Sequence, residues 1–322
     1  MRILIPGGLG FVGGRLAAHL AQAGHQIVIG SRKAIDPPVW LMQAEMAQVD
    51  WEDDAALERM CKGVDVVIQA AGMNAQDCAA DPVAALTFNG VATARLVEAA
   101  SRTGVNRFIY LSTAHVYASP LVGVITEVTC PRNLHSYATS HLAGEQAVLG
   151  ASLSGHLQGI VLRLSNAFGV PMHNGVNCWM LLVNDLCRQA VQTRKLILHS
   201  SGQQLRGFIA MTEVCRVVER LAVVNGDDNQ MGIFNVGSGE AQSVLAMTQT
   251  IQHRCVQVLG FEPDLQRKQD VGEDAHLPFS YQTARLAALG TQLDSTNNIV
   301  EIDHLLRYCD ATFERARSTI HE

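Results

Sequence analysis

Short β-branched runs alternate with longer amphipathic stretches through the first half of the chain. The runs Ile3–Pro6, Gln26–Gly30, Val64–Ala70, Arg107–Ser112 and Gly159–Leu164 predict strands. Between them, Gly13–Ala23, Asp54–Cys61, Asp81–Thr103 and Ser136–Leu149 predict helices. This alternation reads as right-handed βαβ units, hence an α/β protein with a doubly wound parallel sheet covered on both faces. After Val170 the rhythm breaks at Pro171 and Gly175. Beyond lie a helix over Cys178–Thr193, strands over Lys195–His199, Gly207–Ala210 and Gly232–Asn235, a helix near Val244–Gly260 and a last one from about Asn298 to Arg317. The pattern divides the chain into a first domain over residues 1–170, with a returning strand and helix near 207–236, and a smaller mixed domain mainly within 171–322. No repeat or low-complexity linker separates them, so the second part is expected to pack on the first.

Composition narrows the class. Of 322 residues, 48% are hydrophobic and only 17% charged, against a usual charged share of about a quarter. Such a chain buries a large core and is not intrinsically disordered. Lys plus Arg is 24 and Asp plus Glu is 30, a net charge of −6, which argues against a nucleic-acid binder. Aromatic residues are 5%, too few for a base-stacking platform. No apolar run reaches the roughly 18 residues of a membrane span, and the chain opens directly on a strand, so no cleavable signal peptide is expected. Eight cysteines lie scattered without a CxxC pair, which reads as buried thiols in a reducing compartment and not as a metal site. The expectation is a soluble cytoplasmic protein without a metal.

The first strand runs into Gly7-Gly8-Leu9-Gly10-Phe11-Val12-Gly13 and then at once into a helix. Gly7, Gly10 and Gly13 tighten the turn, admit backbone N–H groups to a pyrophosphate and let the helix pack closely; Phe11 and Val12 open that helix. A glycine triplet alone is a weak signal, but here it sits inside a βαβ pattern, so a dinucleotide-binding Rossmann domain is expected. At the end of strand two, an acid would accept bonds from the adenosine ribose and repel a 2′-phosphate. This chain has Ser31-Arg32-Lys33 instead, a hydroxyl and two cations that favour NADP over NAD. The plainer alternative is a solvated loop, with Asp36 too far along to replace the missing acid.

The ordered segments resemble the extended short-chain dehydrogenase/reductases, the group of nucleotide-sugar epimerases, dehydratases and reductases. The likeness spans nearly the whole chain: the glycine turn, Asp50-Trp51, Gln69-Ala70-Ala71-Gly72, Leu111-Ser112-Thr113-Ala114-His115-Val116-Tyr117, the segment around Tyr137, Leu162-Arg163-Leu164-Ser165-Asn166, Arg206-Gly207-Phe208-Ile209 and Asn235-Val236-Gly237-Ser238-Gly239. The resemblance implies a substrate-binding role for the smaller C-terminal domain. It places Asp50 and Trp51 beside the adenine, Ala70, Ala71 and Gly72 along the cofactor, and Asn89 near its nicotinamide half. Gln69 stands where many relatives carry His. Thr113 takes the place of the hydroxyl that bonds the reacting carbonyl or alcohol, and Tyr137 that of the acid/base. Asn166 and Arg206 would contact a sugar nucleotide, Arg206 through its diphosphate, a task that suits a guanidinium.

The family lowers the pKa of its tyrosine with a lysine one helical turn on, at Tyr-x-x-x-Lys. Here the motif reads Tyr137-Ala138-Thr139-Ser140-His141, and no lysine lies between Lys62 and Lys195. His141 can bond a ribose hydroxyl but is mostly neutral at pH 7. A phenol left near pKa 10 is about one part in a thousand phenolate at neutral pH, which hampers alcohol oxidation more than ketone reduction. Dehydratase relatives carry Asp-Glu directly after the threonine; this chain has Ala114-His115, without a carboxyl group. Keto-sugar epimerases carry an acid/base at the place of His115, so its imidazole is either such a base or a satisfied loop-wall residue. His135, nearby, reads as solvating a turn.

Two readings follow. The first is an NAD(P)-dependent epimerase or keto-reductase of a nucleotide-linked sugar, using Thr113, Tyr137, His141 and His115. The second is a cofactor-binding homologue with little catalysis, because His141 replaces the lysine. In the family the helices matching Pro82–Thr103 and Ser136–Leu149 form an intersubunit bundle, so a homodimer is expected, although their apolar faces also suit packing on the sheet.

Overall fold

The computed structural model describes residues 1–224, 232–239, 241–268 and 277–314. The chain begins with β1 (Arg2–Pro6), α1 (Phe11–Gln22), β2 (Gln26–Ser31), β3 (Glu45–Gln48), α2 (Asp54–Cys61) and β4 (Val66–Gln69). Short helices α3 (Ala75–Ala80) and α4 (Pro82–Ala85) lead through a π-helical turn at Leu86–Ala92 into α5 (Thr93–Arg102). Next come β5 (Arg107–Thr113), β6 (Gly123–Ile125), α6 (Ser136–Leu153), β7 (Gln158–Leu164) and β8 (Asn166–Phe168). The remainder comprises α7 (Leu182–Thr193), β9 (Lys195–Leu198), β10 (Leu205–Ala210), α8 (Met211–Val223), β11 (Gly232–Val236), β12 (Ala241–Ser243), α9 (Val244–Leu259), β13 (Asp264–Arg267), β14 (Phe279–Tyr281), α10 (Ala284–Ala288) and α11 (Thr296–Cys309).

Seven strands form one sheet in the order β3-β2-β1-β4-β5-β7-β11, all parallel. This is the predicted Rossmann-type fold. From β1 the chain winds outward to β3, then returns to β4 on the other side of β1. That reversal opens a crevice at the carboxyl ends of the strands, where ligands of such sheets bind. Gly7, Ser31, Ala70 and Thr113 all fall at this edge because each ends or follows a strand of the sheet.

Alternation along the strands separates two cores. Ile3, Ile5, Ile68, Ile109 and Leu162 face α1 and α8, while Leu4, Val67, Phe108, Tyr110 and Val161 face α2, α5 and α6. A third core joins Phe168, Val183, Leu186, Ile251 and Leu305. Its α11 is tied to α1 by Arg15, whose guanidinium donates to both carboxylate oxygens of Glu301 at 2.5 and 3.0 Å. Glu301 also accepts from the Val170 and Thr212 backbone N–H groups.

Several boundaries differ from expectation. The stretch predicted as one helix over Asp81–Thr103 is broken by the π-turn, which rotates Asn89 into the interior, where it is 1% exposed. The helix expected from Cys178 starts at Leu182, after a tight turn in which Leu181 N donates to Cys178 O. Strand β10 does not join the central sheet: it pairs with β8 and β12, and the strand that returns beside β7 is β11. The last helix gives way to a π-turn at Asp310–Glu314, and its predicted extension to Arg317 lies outside the described residues. Among the described residues no helix is long and apolar enough to cross a membrane, no cluster of three His, Cys, Asp or Glu side chains is placed to hold a metal, and the eight cysteines are free thiols.

Helix α6 is fixed to the sheet by a buried ion pair. Arg163 of β7 donates to Glu145 Oε2 at 2.6 Å and to Oε1 at 3.0 Å, and Ser112 donates to Glu145 Oε1 at 2.5 Å. The two charged side chains are 2% and 0% exposed. Removing one partner of such a pair strands the other charge in the interior. Glu145→Ala is expected to cost about 3–5 kcal/mol of unfolding free energy in urea; a loss under 1 kcal/mol would show that α6 is held by other means.

Candidate active site

The glycine turn is built by close backbone approach. Gly7 has φ +80°, and a Cβ there would lie 2.6 Å from Ala71 N. One at Gly13 would lie 2.2 Å from the Gly7 carbonyl oxygen. Neither position admits a side chain without moving backbone. Helix α1 starts at Phe11 behind Gly10, with no side-chain cap and no acid in its first turn. Its first N–H groups and positive dipole end therefore face the crevice, as a pyrophosphate requires. The backbone of residues 70–72 forms the adjoining wall. His173 bonds the Leu9 carbonyl oxygen at 3.0 Å across this turn, a clamp that nothing in the sequence signalled.

At the end of β2, the Ser31 hydroxyl accepts from Lys33 N at 3.2 Å. Arg32 and Lys33 are exposed, and neither has an acidic partner among the described residues. Asp50 accepts from Glu52 N at 3.0 Å. The Trp51 ring meets Phe88 edge-on at 5.4 Å, and its indole N–H is buried without a hydrogen bond. Both amide atoms of Gln69 are likewise buried and unbonded, so this side chain fills space without fixing a neighbour.

The other end of the groove gathers the residues expected to carry chemistry. Thr113 closes β5, and its hydroxyl accepts from His115 N at 3.1 Å, starting a short 3-10 turn. His135 caps α6 by accepting from Tyr137 N, the turn role expected for it. Tyr137 and His141 then lie one turn apart on α6, ring centroids 4.6 Å apart and nearly perpendicular. His141 abuts the wall of the groove: a Cβ at Gly72 would lie 3.7 Å from its Cε1 and 3.9 Å from its Nε2. Asn89 is engaged at both ends of its amide, accepting from Met73 N at 2.8 Å and donating to Ser140 Oγ at 3.0 Å. It shapes the wall by joining the loop after β4 to α6. From Gly7 through Ala71 and Gly72 to His141 and Tyr137, successive close approaches link the glycine turn to the phenol.

Burial dominates the electrostatics. It raises the Tyr137 phenol above its ordinary 10, with a hydrogen bond to Thr113 opposing the shift and the Cys78 thiol adding to it. It lowers the His141 imidazole to about 4, so this ring is neutral at physiological pH. His115, although exposed at the turn after β5, is also lowered, by desolvation from its surroundings and then by the positive charges of Arg206 and His135. Arg206 is half-buried on β10, opposite Gln242 of β12. Burial lowers its pKa, yet a guanidinium stays charged, and it has no acidic partner among the described residues. The Asn166 amide donates to the Gly207 carbonyl at 2.8 Å; that nitrogen is committed to joining β8 and β10, which leaves the amide oxygen for a ligand.

The model of the NAD dependent epimerase/dehydratase family matches residues 3–237. The chain belongs to that family. Among curated members, the dTDP-6-deoxy-L-talose 4-dehydrogenase (NAD(P)(+)) of Kitasatospora kifunensis is 29% identical over 253 residues, 75% of each chain. The UDP-glucose 4-epimerase of Thermotoga maritima, solved with UDP-glucose, superposes with a TM-score of 0.79 at 19% identity, over 97% of this chain and 99% of that one. The UDP-glucose 4-epimerase of Thermus thermophilus, solved with NAD, gives 0.76 at 20%, over 95% and 99%. The extended short-chain dehydrogenase/reductase type expected from the motifs is thus the one found. Within this epimerase/dehydratase fold, sequence reading missed Tyr110, which contacts His141, and Gly144, which makes room for it. Their only signal was a glycine three residues beyond an unusual histidine.

A buried neutral histidine leaves a mark on stability. Unfolded, His141 takes a proton near pH 6.5; folded, only near pH 4. Its contribution is complete above pH 6.5 and is lost as pH falls toward 4, to a total of roughly 3 kcal/mol. Urea unfolding of wild type and His141→Gln should therefore show the wild type losing about 2–3 kcal/mol relative to the variant between pH 7 and pH 4.5. Parallel pH curves would rule out a buried neutral imidazole.

Proposed function

We propose that this protein is an NAD(P)-dependent keto-reductase or epimerase of a nucleotide-linked sugar, with Tyr137 exchanging the proton at the sugar oxygen. The observation that carries this reading is the series of close approaches from the phosphate-binding type of turn at Gly7–Gly13, through Ala71, Gly72 and His141, to Tyr137. The turn, Ser31–Lys33 and the wall at Ala70–Gly72 would hold the dinucleotide, and a bound nicotinamide would supply hydride transfer.

The chain's own residues favour one direction. A phenol held above pKa 10 is protonated at neutral pH, ready to donate to the oxygen of a ketone as it becomes an alcohol. Thr113, whose hydroxyl counters the rise of that phenol's pKa, would hold the same oxygen. Alcohol oxidation, the first half of an epimerisation, needs the phenolate, and the neutral His141 contributes no charge to stabilise it. The reductase is therefore the favoured form of the proposal. Arg206, charged and without an acidic partner among the described residues, suits a diphosphate. His115 beside it is neutral at pH 7 and suits removal of a proton α to a ketone. No carboxyl group follows Thr113 in the turn at Ala114–Val116, which argues against dehydration. The names of the Kitasatospora and Thermotoga relatives describe enzymes of nucleotide sugars, which supports that substrate class.

The two exposed cations Arg32 and Lys33 favour NADP over NAD. The apolar residues Val83, Leu86, Val91 and Leu153, exposed on α4, the π-turn and α6, support a homodimer through these helices; sedimentation velocity of the purified protein should give the mass of two chains, and a single-chain mass would refute it.

Calorimetric titration and a keto-sugar nucleotide panel test the proposal together. NADPH is expected to bind more tightly than NADH, and Arg32→Ala should weaken NADPH binding about tenfold or more while leaving NADH unchanged. Wild type should consume NADPH in stoichiometric amounts, and Tyr137→Phe should lower turnover about 100-fold or more with little change in cofactor affinity. Tight cofactor binding without turnover on any keto-sugar nucleotide would instead identify a cofactor-binding homologue.

A further inference from the structure

Besides Tyr137, His141 meets a second phenol. Tyr110, on β5, places its Oη 2.9 Å from His141 Nδ1. Tyr110 is 1% exposed. Its hydroxyl has two acceptors within reach, this nitrogen and the Asn89 carbonyl oxygen at the longer distance of 3.4 Å. The buried Thr93 hydroxyl is near the same phenol but has no hydrogen-bond partner, so the shorter contact to the imidazole is the stronger claim on the phenol proton. Room for the arrangement comes from Gly144: a Cβ there would lie 2.6 Å from Tyr110 Oη and 2.7 Å from Asn89 O.

We propose that Tyr110 is a positioning residue that donates its phenol proton to His141 Nδ1 and thereby fixes the imidazole as its Nε2–H tautomer, so that a neutral N–H donor is presented at the groove wall beside Gly72. A neutral imidazole carries one N–H and one lone pair. With Nδ1 occupied as acceptor, the hydrogen must sit on Nε2, which has no hydrogen-bond partner among the described residues. Burial supports this in both rings: it keeps Tyr110 protonated, well above the usual phenol range, and His141 unprotonated down to about pH 4. Resting on the functional reading above, the ligand chemistry is that of a ribose hydroxyl of the dinucleotide, an acceptor for the Nε2–H. An ammonium at this point would both hold such a hydroxyl and lower the Tyr137 pKa. The Tyr110–His141 pair separates the two tasks, holding the hydroxyl without a charge.

Long-range 1H–15N correlation spectra of protein labelled at histidine decide the tautomer without any cofactor. The expected spectrum shows His141 with Nε2 protonated and Nδ1 as an acceptor from pH 5 to 8, and Tyr110→Phe shifts the population toward the Nδ1–H form. A wild-type spectrum with Nδ1 protonated would overturn the proposal, since Tyr110 would then donate to Asn89 O. Tyr110→Phe should also weaken NADPH binding about tenfold, and this loss should vanish in a His141→Gln background, which a merely structural effect would not do. An undiminished loss in that background overturns the positioning role. If wild type binds no dinucleotide, the functional reading fails while the spectrum still settles the tautomer.

Discussion

One imidazole, desolvated beside two phenols, sets the electrostatics of the proposed site. Water is excluded from His141, so the ring is neutral across the physiological range, and neutrality removes the positive charge that would draw a proton off Tyr137. The same exclusion raises Tyr137 itself. The two shifts have one cause and one consequence: a proton resides on the phenol at rest. A site built this way gives protons to developing alkoxides more readily than it takes them from alcohols.

The surrounding fold exists to hold that ring in place. The winding reversal between β1 and β4 creates the crevice, the glycine turn brings α1 up to residues 70–72, and that wall reaches His141. On the opposite side, Glu145 anchors α6 to β5 and β7 one turn beyond His141. The π-turn at Leu86–Ala92 supplies the third restraint. Its extra residue turns Asn89 inward, where the amide joins Met73 to Ser140. A regular helix there would carry the amide to a different face.

Much of this was legible along the chain because it depends on local pattern. Continuous apolar runs identify central parallel strands, and glycines at 7, 10 and 13 between strand and helix identify the turn. The absence of lysine around Tyr137 was visible in the same way. What the sequence concealed are contacts between distant elements. Tyr110 reads as one more aromatic of a buried strand, and its role emerges only when β5 and α6 pack together, 31 residues apart. Asn166 looked free for a ligand until β10 came alongside β8 and took up its amide nitrogen. The π-turn likewise has no marker in Leu86–Ala92; helical periodicity continues through it, although Gly90 does let α6 approach closely, since a Cβ there would lie 3.1 Å from Ala143 Cβ.

The most direct test of the central claim is the ionisation of Tyr137 in the free protein, followed by the difference in phenolate absorbance between wild type and Tyr137→Phe as pH is raised. The structure predicts that this phenol titrates above the ordinary phenol range. A phenolate titrating near pH 7 would mean that some other group supplies the missing positive charge, and would contradict the account of the site as a resting proton donor.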